Sequence, residues 1–307
     1  MFPLTPYIDL YRNLNPHLHE TRDKEASPVP VRITTDVRNG LHIENDVETI
    51  RENLRRVFGF KDTLYSRHEF YSVAQTGTLR KPTILSTQVL LDVNYRWSGE
   101  YYHFFTEVLP NAMYLAAKYP TAPILCKKSK FTEGLFRWFG IQSAIVEHVP
   151  PLHSRALALF AQCGNPSGET IALLRRVVES KLAFETTTGI LIRRHGTRFV
   201  ENEEELFDQC KRVFPSLDWV IFDHLSPEDT ARLFSKAAVI VAPHGAGLTN
   251  MLFASKGIAI YEFMPIDEPN ICYWHLSEIL GNTYAMIPTP CDPDTRSMKC
   301  KLPETLE

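Results

Sequence analysis

Hydrophobic positions in the first half of the chain change period repeatedly. Over 46–58 (DVETIRENLRRVF), Val47, Ile50, Leu54 and Val57 recur at three- and four-residue steps, which predicts one apolar helix face, and Gly59 supplies its stop. Runs at 69–74, 82–86 and 88–93 predict short strands. A helix is expected from about Gly99 through YYHFFTEVLPNAMYLAAKY, and Pro110 must kink or split it because proline has no amide hydrogen to donate. Strands follow at 122–126, 144–149 and 155–160, with helices at 132–139 and 169–184. Ahead of these, residues 1–30 are polar and broken by Pro3, Pro6, Pro16, Pro28 and Pro30, the pattern of a loosely packed arm.

The second half alternates cleanly. GILIRR (189–194) reads as a buried strand, followed by a helix from about Asn202 to Phe214 whose acids come first and whose Lys211 and Arg212 come last, an order that suits the helix dipole. DWVIF (218–222) is a strand. Ser226 then caps a helix with Pro227 at its first position. AVIVA leads into PHGAGLTNMLFA, GIAIYEFM is a strand, ICYWHLSEIL is a helix stopped by Gly281, and TYAMI (283–287) is the last strand. Strands alternating with helices predict a parallel, Rossmann-like α/β sheet, which binds ligands at the turns after its strands.

Composition narrows the class. The 307 residues suit two domains, and 44% hydrophobic with 22% charged residues excludes wholesale disorder. With 33 Lys and Arg against 36 acids, there is no electrostatic footprint for nucleic acid. Six cysteines without a C-x-x-C pair argue against structural zinc or a disulfide framework. The absence of an 18-residue apolar run, of a signal-peptide pattern and of N-x-Ser/Thr sequons leads to the expectation of a cytoplasmic, bacterial-type protein. A place in the lumen of the secretory pathway is expected instead if the sequence is part of a longer chain, and peripheral membrane association stays open.

AVIVAPHGAGLTNMLFA carries the most chemistry. Gly245 and Gly247 allow close approach of a ligand to the backbone, and a helix starting near Gly247 and Leu248 offers amide hydrogens to an anion. His244 and Asn250 add donors. The pattern fits a phosphate or diphosphate cradle. It is not G-x-G-x-x-G after a first strand, so a dinucleotide oxidoreductase is disfavoured.

HGAGLTN, followed by a strand ending in IYEFMP, resembles glycosyltransferase family 61, the inverting transferases that include plant β-1,2-xylosyltransferases and animal O-linked N-acetylglucosaminyltransferases. LIRRHGTRFVENEEEL and YYHFFTEVLPNAMYL resemble two further blocks of that family, in family order, over roughly 100–265. Arg198 is followed by Phe199 where many relatives carry an arginine pair. The resemblance implies a GT-B fold, two Rossmann-like domains facing across a cleft. Residues 31–185 would hold the acceptor and 186–285 the nucleotide sugar, between the arm (1–30) and a tail (286–307). It implies inverting transfer from a nucleotide sugar, taken as UDP-linked, to a glycan or glycoconjugate hydroxyl, with no metal cofactor. The rival is a non-catalytic nucleotide- or glycan-binding module on the same fold.

Candidate roles follow. His103 and Glu107 share a helix face at i and i+4, and inversion needs a base for the acceptor hydroxyl; Glu107 is the preferred base, with His103 orienting it, although either group suits. Arg193 and Arg194 end a strand, and alternation sends one to each face, so one of them is expected at the diphosphate. Arg198 suits a bidentate phosphate contact. Asn202 and Glu203 are expected mainly to cap and hold the loop, and the turn His244, Gly245, Ala246, Gly247 and Leu248 with Asn250 is expected at the diphosphate. Glu262 is expected on the ribose diol, and the aromatics Tyr95, Trp97, Tyr101 and Tyr102 mainly in the core. Asp292 and Asp294, in a proline-rich stretch, are not expected to bind metal.

Overall fold

The computed structural model describes residues 99–147 and 168–303, apart from 267 and 268, with the strands at 31–34, 83–85, 89–92, 152–154 and 157–160 and residues 93 and 166. The arm at 1–30, the helix expected over 46–58, the strand over 69–74, and Tyr95 and Trp97 lie outside these residues. The chain divides between Leu174 and Arg175 into two compact units. The division falls inside a helix, α3 (Gly168–Lys181), whereas the sequence reading ends the first half after that helix.

The first unit carries a mixed five-stranded sheet. Its order is β1 (Val31–Thr34), β7 (Leu157–Phe160), β3 (Val89–Asp92), β4 (Ile124–Cys126), β5 (Ile145–Glu147), with β1 antiparallel and the rest parallel. A separate parallel pair joins β2 (Thr83–Leu85) to β6 (Leu152–Ser154). The helix expected after Gly99 forms as α1, over 101–118. It is α-helical at Tyr101–His103, a π-turn at Phe104–Val108, and α-helical again at Leu109–Lys118. Pro110 lacks the hydrogen that an α-helix would aim at the carbonyl of Thr106. The chain widens by one residue instead, and the amide of Leu109 reaches back five residues to Phe104. Ser129 caps α2 (Lys130–Trp138), its hydroxyl accepting from the amide of Thr132 at 3.0 Å. Tyr101 packs on Phe105 and Phe131, and Tyr102 is buried, so both described members of the aromatic cluster serve the core.

The second unit is built on a five-stranded sheet that is parallel throughout, in the order β10 (Asp218–Phe222), β8 (Thr188–Ile192), β11 (Ala237–Pro243), β12 (Ala259–Pro265), β13 (Thr283–Thr289). From β8 the chain moves to one side through α4 (Glu203–Val213), then returns through α5 (Pro227–Phe234) to the other side at β11. Two neighbouring strands whose connections leave in opposite directions open a crevice at their carboxyl ends, the usual ligand position in such sheets. Here those ends are Ile192 and Pro243.

Strand alternation sorts the rest. Leu191, Val239, Val241, Phe263 and Ile287 face α4, with Leu206 and Cys210 packed on them. Met298, Cys300 and Leu302 complete that core, and β14 (Ser297–Met298) pairs with β9 (Phe199–Val200). The segment beyond 285 is therefore built into this unit. The opposite face carries Ile190, Ile192, Ile260 and Met264, beneath the 3₁₀ helix Ala246–Phe253 and α6 (Cys272–Leu280), which Gly281 ends in the left-handed region at φ 70°. The five described cysteines are free thiols, and no helix among the described residues is long and apolar enough to cross a membrane.

Arg175 fixes the far end of the 3₁₀ helix. It lies on the buried face of α3 with Ile171, Leu174 and Val178, and its Nη1 donates to the carbonyls of Leu252 at 2.8 Å and Ala254 at 2.6 Å, while Glu179 accepts from Nη2 at 3.1 Å. A cation on the last carbonyls complements the helix dipole. Arg175→Met keeps the apolar stem and removes the charged hydrogen bonds. It is expected to lower stability by about 1.5–3 kcal/mol, the range for bonds to a charged group, as measured by the midpoint of urea unfolding.

Candidate active site

The carboxyl edge between β8 and β11 brings together the strand-end arginines and the glycine turn. Gly245 is in extended backbone, φ 171°, which any residue adopts, so left-handed geometry is not why glycine stands there. The reason is proximity. A Cβ on Gly245 would come within 1.8 Å of Arg194 Nη1, and one on Gly247 within 2.7 Å of the Cγ2 of Ile192. The first glycine lets the guanidinium of Arg194 cross the turn; the second lets the turn lie flat on β8. The helix that follows is 3₁₀ rather than α, with the amide of Leu248 bonded to the carbonyl of Gly245 at 3.0 Å. Thr249 and Asn250 are buried in it.

The two arginines separate as alternation requires. Arg193 turns toward α4 and is held by Glu203, with Nε donating at 2.9 Å and Nη2 at 2.5 Å, and Asp223 lies 3.6 Å from its Nη1. Arg194 takes the other face. Its Nη1 donates to the carbonyl of His244 at 3.0 Å and its Nε to that of Thr197 at 2.5 Å. Burial, then the nearby Arg198 charge, pulls the Arg194 guanidinium below its ordinary range. Arg198 has φ 60°, a strained position for a residue with a side chain, and its buried Nε has no hydrogen-bond partner. Neither Arg194 nor Arg198 has a carboxylate partner among the described residues.

Three candidate site residues, Asn202, Glu203 and Glu262, are engaged by other groups of the protein. The amide of Asn202 pairs with the backbone of Cys300, donating to its carbonyl at 2.8 Å and accepting from its N–H at 2.9 Å, and it makes no cap. Glu203 anchors Arg193. Glu262 is fully buried at 0% exposure, with Oε1 at 2.5 Å from His244 Nδ1 and Oε2 accepting from the Tyr284 hydroxyl. Both oxygens are engaged inside the sheet face, so its carboxylate holds His244 instead of presenting itself to a ribose. Tyr273 of α6 lies against the same imidazole, ring centroids 5.2 Å apart. Tyr284 and Tyr273 were not singled out in the sequence, where each reads as an ordinary aromatic of a strand or helix.

In the first unit, His103 Nδ1 and Glu107 Oε1 are 2.8 Å apart across the α-to-π junction. The Glu107 side chain is 10% exposed and that of His103 34%. Burial pushes the Glu107 carboxyl well above the usual carboxylate range. It also pulls His103 below the usual imidazole range, against the opposing charge of Glu100. Both directions favour a pair without net charge.

Among the described residues, one cluster has the atoms to hold a metal ion: His195, Asp223 and His224, after β8 and β10. His195 Nε2 lies 3.0 Å from Asp223 Oδ1, but both histidines are exposed and Arg193 already faces that carboxylate. Asp292 is used locally, its Oδ1 accepting from the amides of Asp294 and Thr295.

The second unit is thus a doubly wound parallel α/β sheet with two arginines and a glycine turn at its switch point, the usual ligand position in such sheets. The sequence model of the family Glycosyltransferase 61 matches residues 101–261, which span both the His103–Glu107 pair and the glycine turn. The chain belongs to glycosyltransferase family 61 and is a glycosyltransferase, acting between a sugar donor and a glycan acceptor. Among curated proteins, no sequence matches it.

The two glycines are expected to fail differently. Gly245→Ala displaces the guanidinium of Arg194, so its effect on the affinity for an anionic probe, inorganic diphosphate, should match that of Arg194→Ala, with the double mutant no worse than either single one. Gly247→Ala meets a branched side chain that cannot swing away, and it should destabilise the fold by about 1–3 kcal/mol. Calorimetric affinity and urea unfolding separate the two outcomes.

Proposed function

We propose that the chain is an inverting, metal-independent transferase that takes its sugar from a UDP-sugar, with the two units serving as the acceptor- and donor-binding domains of a GT-B enzyme. The observation that carries this reading is the pair Arg194 and Arg198, two cations close enough to repel at a topological switch point, without an acidic partner among the described residues. A diphosphate supplies the missing negative charge. The turn His244–Leu248 lies against Arg194, whose Nη1 donates to the His244 carbonyl, while Asn250 is buried in the 3₁₀ helix. Arg193, Asn202 and Glu203 brace the loop between β8 and α4, and Glu262 acts behind His244.

On the acceptor side, burial argues for exchanging the roles read from the sequence. Glu107 is the enclosed partner and His103 the accessible one. In the active form the Glu107 carboxylate accepts from His103 Nδ1–H. Nε2 then takes the proton of the acceptor hydroxyl as its oxygen attacks the anomeric carbon, and the buried carboxylate stabilises the imidazolium that forms. The acceptor is a hydroxyl of a glycan or glycoconjugate.

Donor binding is tested by titrating the protein with UDP, GDP, CMP and NAD. Stabilisation by UDP is expected, and Arg194→Ala or Arg198→Ala should each weaken it by about 10- to 150-fold, equivalent to roughly 1.5–3 kcal/mol. Stabilisation by NAD alone would defeat the reading.

The base is tested by turnover. His103→Ala should lower it by about 10²–10⁴-fold and Glu107→Gln by less, with UDP affinity unchanged in both. A larger loss in Glu107→Gln would return the base to the carboxylate; near-normal turnover in both would make the pair structural. The pair must lose a proton to act, and burial holds Glu107 above the ordinary glutamate value of 4.5. Turnover should therefore fall as pH is lowered, with a midpoint above that value.

A further inference from the structure

The strand β12 places a carboxylate where an aliphatic side chain would serve the fold better. Glu262 alternates with Ile260 and Met264 on the apolar sheet face and has no solvent exposure. Such a group stabilises a fold less than a well-packed hydrophobe does. Its partners show what it holds. Oε2 is taken by the Tyr284 hydroxyl from β13, so Oε1 is left for His244 Nδ1, 2.5 Å away. The main chain of His244 is fixed as well, its N–H donating to the carbonyl of Phe263 at 2.9 Å and its carbonyl accepting from Arg194 at 3.0 Å. With Tyr273 against the ring, the imidazole is held at one edge and one face, and Nε2 is left without a partner among the described residues.

We propose that Glu262, braced by Tyr284, is a positioning residue that fixes His244 with Nδ1–H pointing inward, so that Nε2 presents a proton to the diphosphate oxygen that departs from the sugar. The proposal rests on the reading that the diphosphate lies on the turn after β11.

The charges around the ring come from four places. Glu262 lies on β12, Tyr284 on β13, Tyr273 and Cys272 on α6, and Arg194 and Arg198 between β8 and α4. Burial raises the two tyrosines and the thiol well above their ordinary ranges, so they carry no charge at neutral pH. Glu262 and two guanidinium groups therefore surround the ring, and a diphosphate bound beside it adds the negative charge that draws a proton from solvent onto Nε2 of His244. In the transfer, the bond between the anomeric carbon and the diphosphate oxygen breaks and its electron pair stays on that oxygen, which accepts from Nε2–H. The acceptor oxygen bonds to the anomeric carbon and its proton passes to the His103–Glu107 pair. Departure of the nucleotide returns the His244 proton to solvent.

The experiment is calorimetric titration of the full chain with UDP at neutral pH in two buffers of different ionisation enthalpy, which counts protons taken up. Wild type should take up a substantial fraction of one proton, up to about one per UDP. Folded Glu262→Gln and His244→Asn should bind UDP with little or no uptake, and Glu262→Gln should lose about tenfold or more in turnover. Glu262→Asp should recover part of the uptake. A merely structural role for Glu262 would change affinity and leave the proton count alone, so unchanged uptake in folded Glu262→Gln overturns the proposal. No uptake in wild type also overturns it. Should Glu262→Gln not fold, Tyr284→Phe keeps the carboxylate and must reduce the uptake, and unchanged uptake there overturns the proposal equally. Failure of wild type to bind UDP at all would remove the diphosphate reading and this inference with it. That result is distinct from binding without protons, which removes the inference alone.

Discussion

The lateral pairing of β8 with β11 is the constraint on which the second unit depends. Because these neighbours run parallel and their connections depart to opposite sides, their carboxyl ends cannot be covered by either connection. The chain fills that edge with groups that a closed core would reject: two guanidinium groups, a glycine turn and an imidazole backed by a buried carboxylate. Gly247 allows the turn to lie on Ile192, and Gly245 allows Arg194 to lie on the turn. Each close approach depends on the one beneath it.

The polar groups of this region stand in a graded order from the interior outward. Glu262 is sealed, Tyr284 and His244 are nearly so, and Arg194 is half-buried. The same logic recurs in miniature in α1, where an enclosed carboxyl stands behind a more accessible imidazole. In both places a buried acid holds a histidine by Nδ1, and it is the histidine that stands nearer to solvent.

Much of this was legible in the sequence because local chemistry decided it. DWVIF and the Ser226–Pro227 helix start appear where alternation and capping put them, and Gly281 ends its helix as expected. The opposite facing of Arg193 and Arg194 follows from strand alternation alone. What escaped depends on contacts distant in the chain. Asn202 looks like a helix cap until residue 300 returns to meet it. Glu262 looks like a ligand-facing strand end until β13 brings Tyr284 beside it. Arg175 carried a readable signal, since it shares a helical face with Ile171 and Val178, but its partners lie almost eighty residues on. The widening of α1 at Pro110 was foreseen as a break, and its form as a π-turn was not, because proline forbids one hydrogen bond without specifying the replacement.

The pairing of β9 with β14 ties two distant stretches into one opening unit. The amide of Arg198 bonds to the carbonyl of Arg296, that of Glu201 to Met298 at 3.0 Å, and that of Cys300 to the Asn202 side chain. Residues 296–300 thus act as a strap across the loop that carries Arg198. Hydrogen exchange at these amides requires release of the strap, which also exposes the buried Met298 and Cys300. The order of a guanidinium beside the glycine turn is consequently set by the detachment equilibrium of a segment almost a hundred residues away in sequence, and a substitution there changes how often that arginine is in place without touching it.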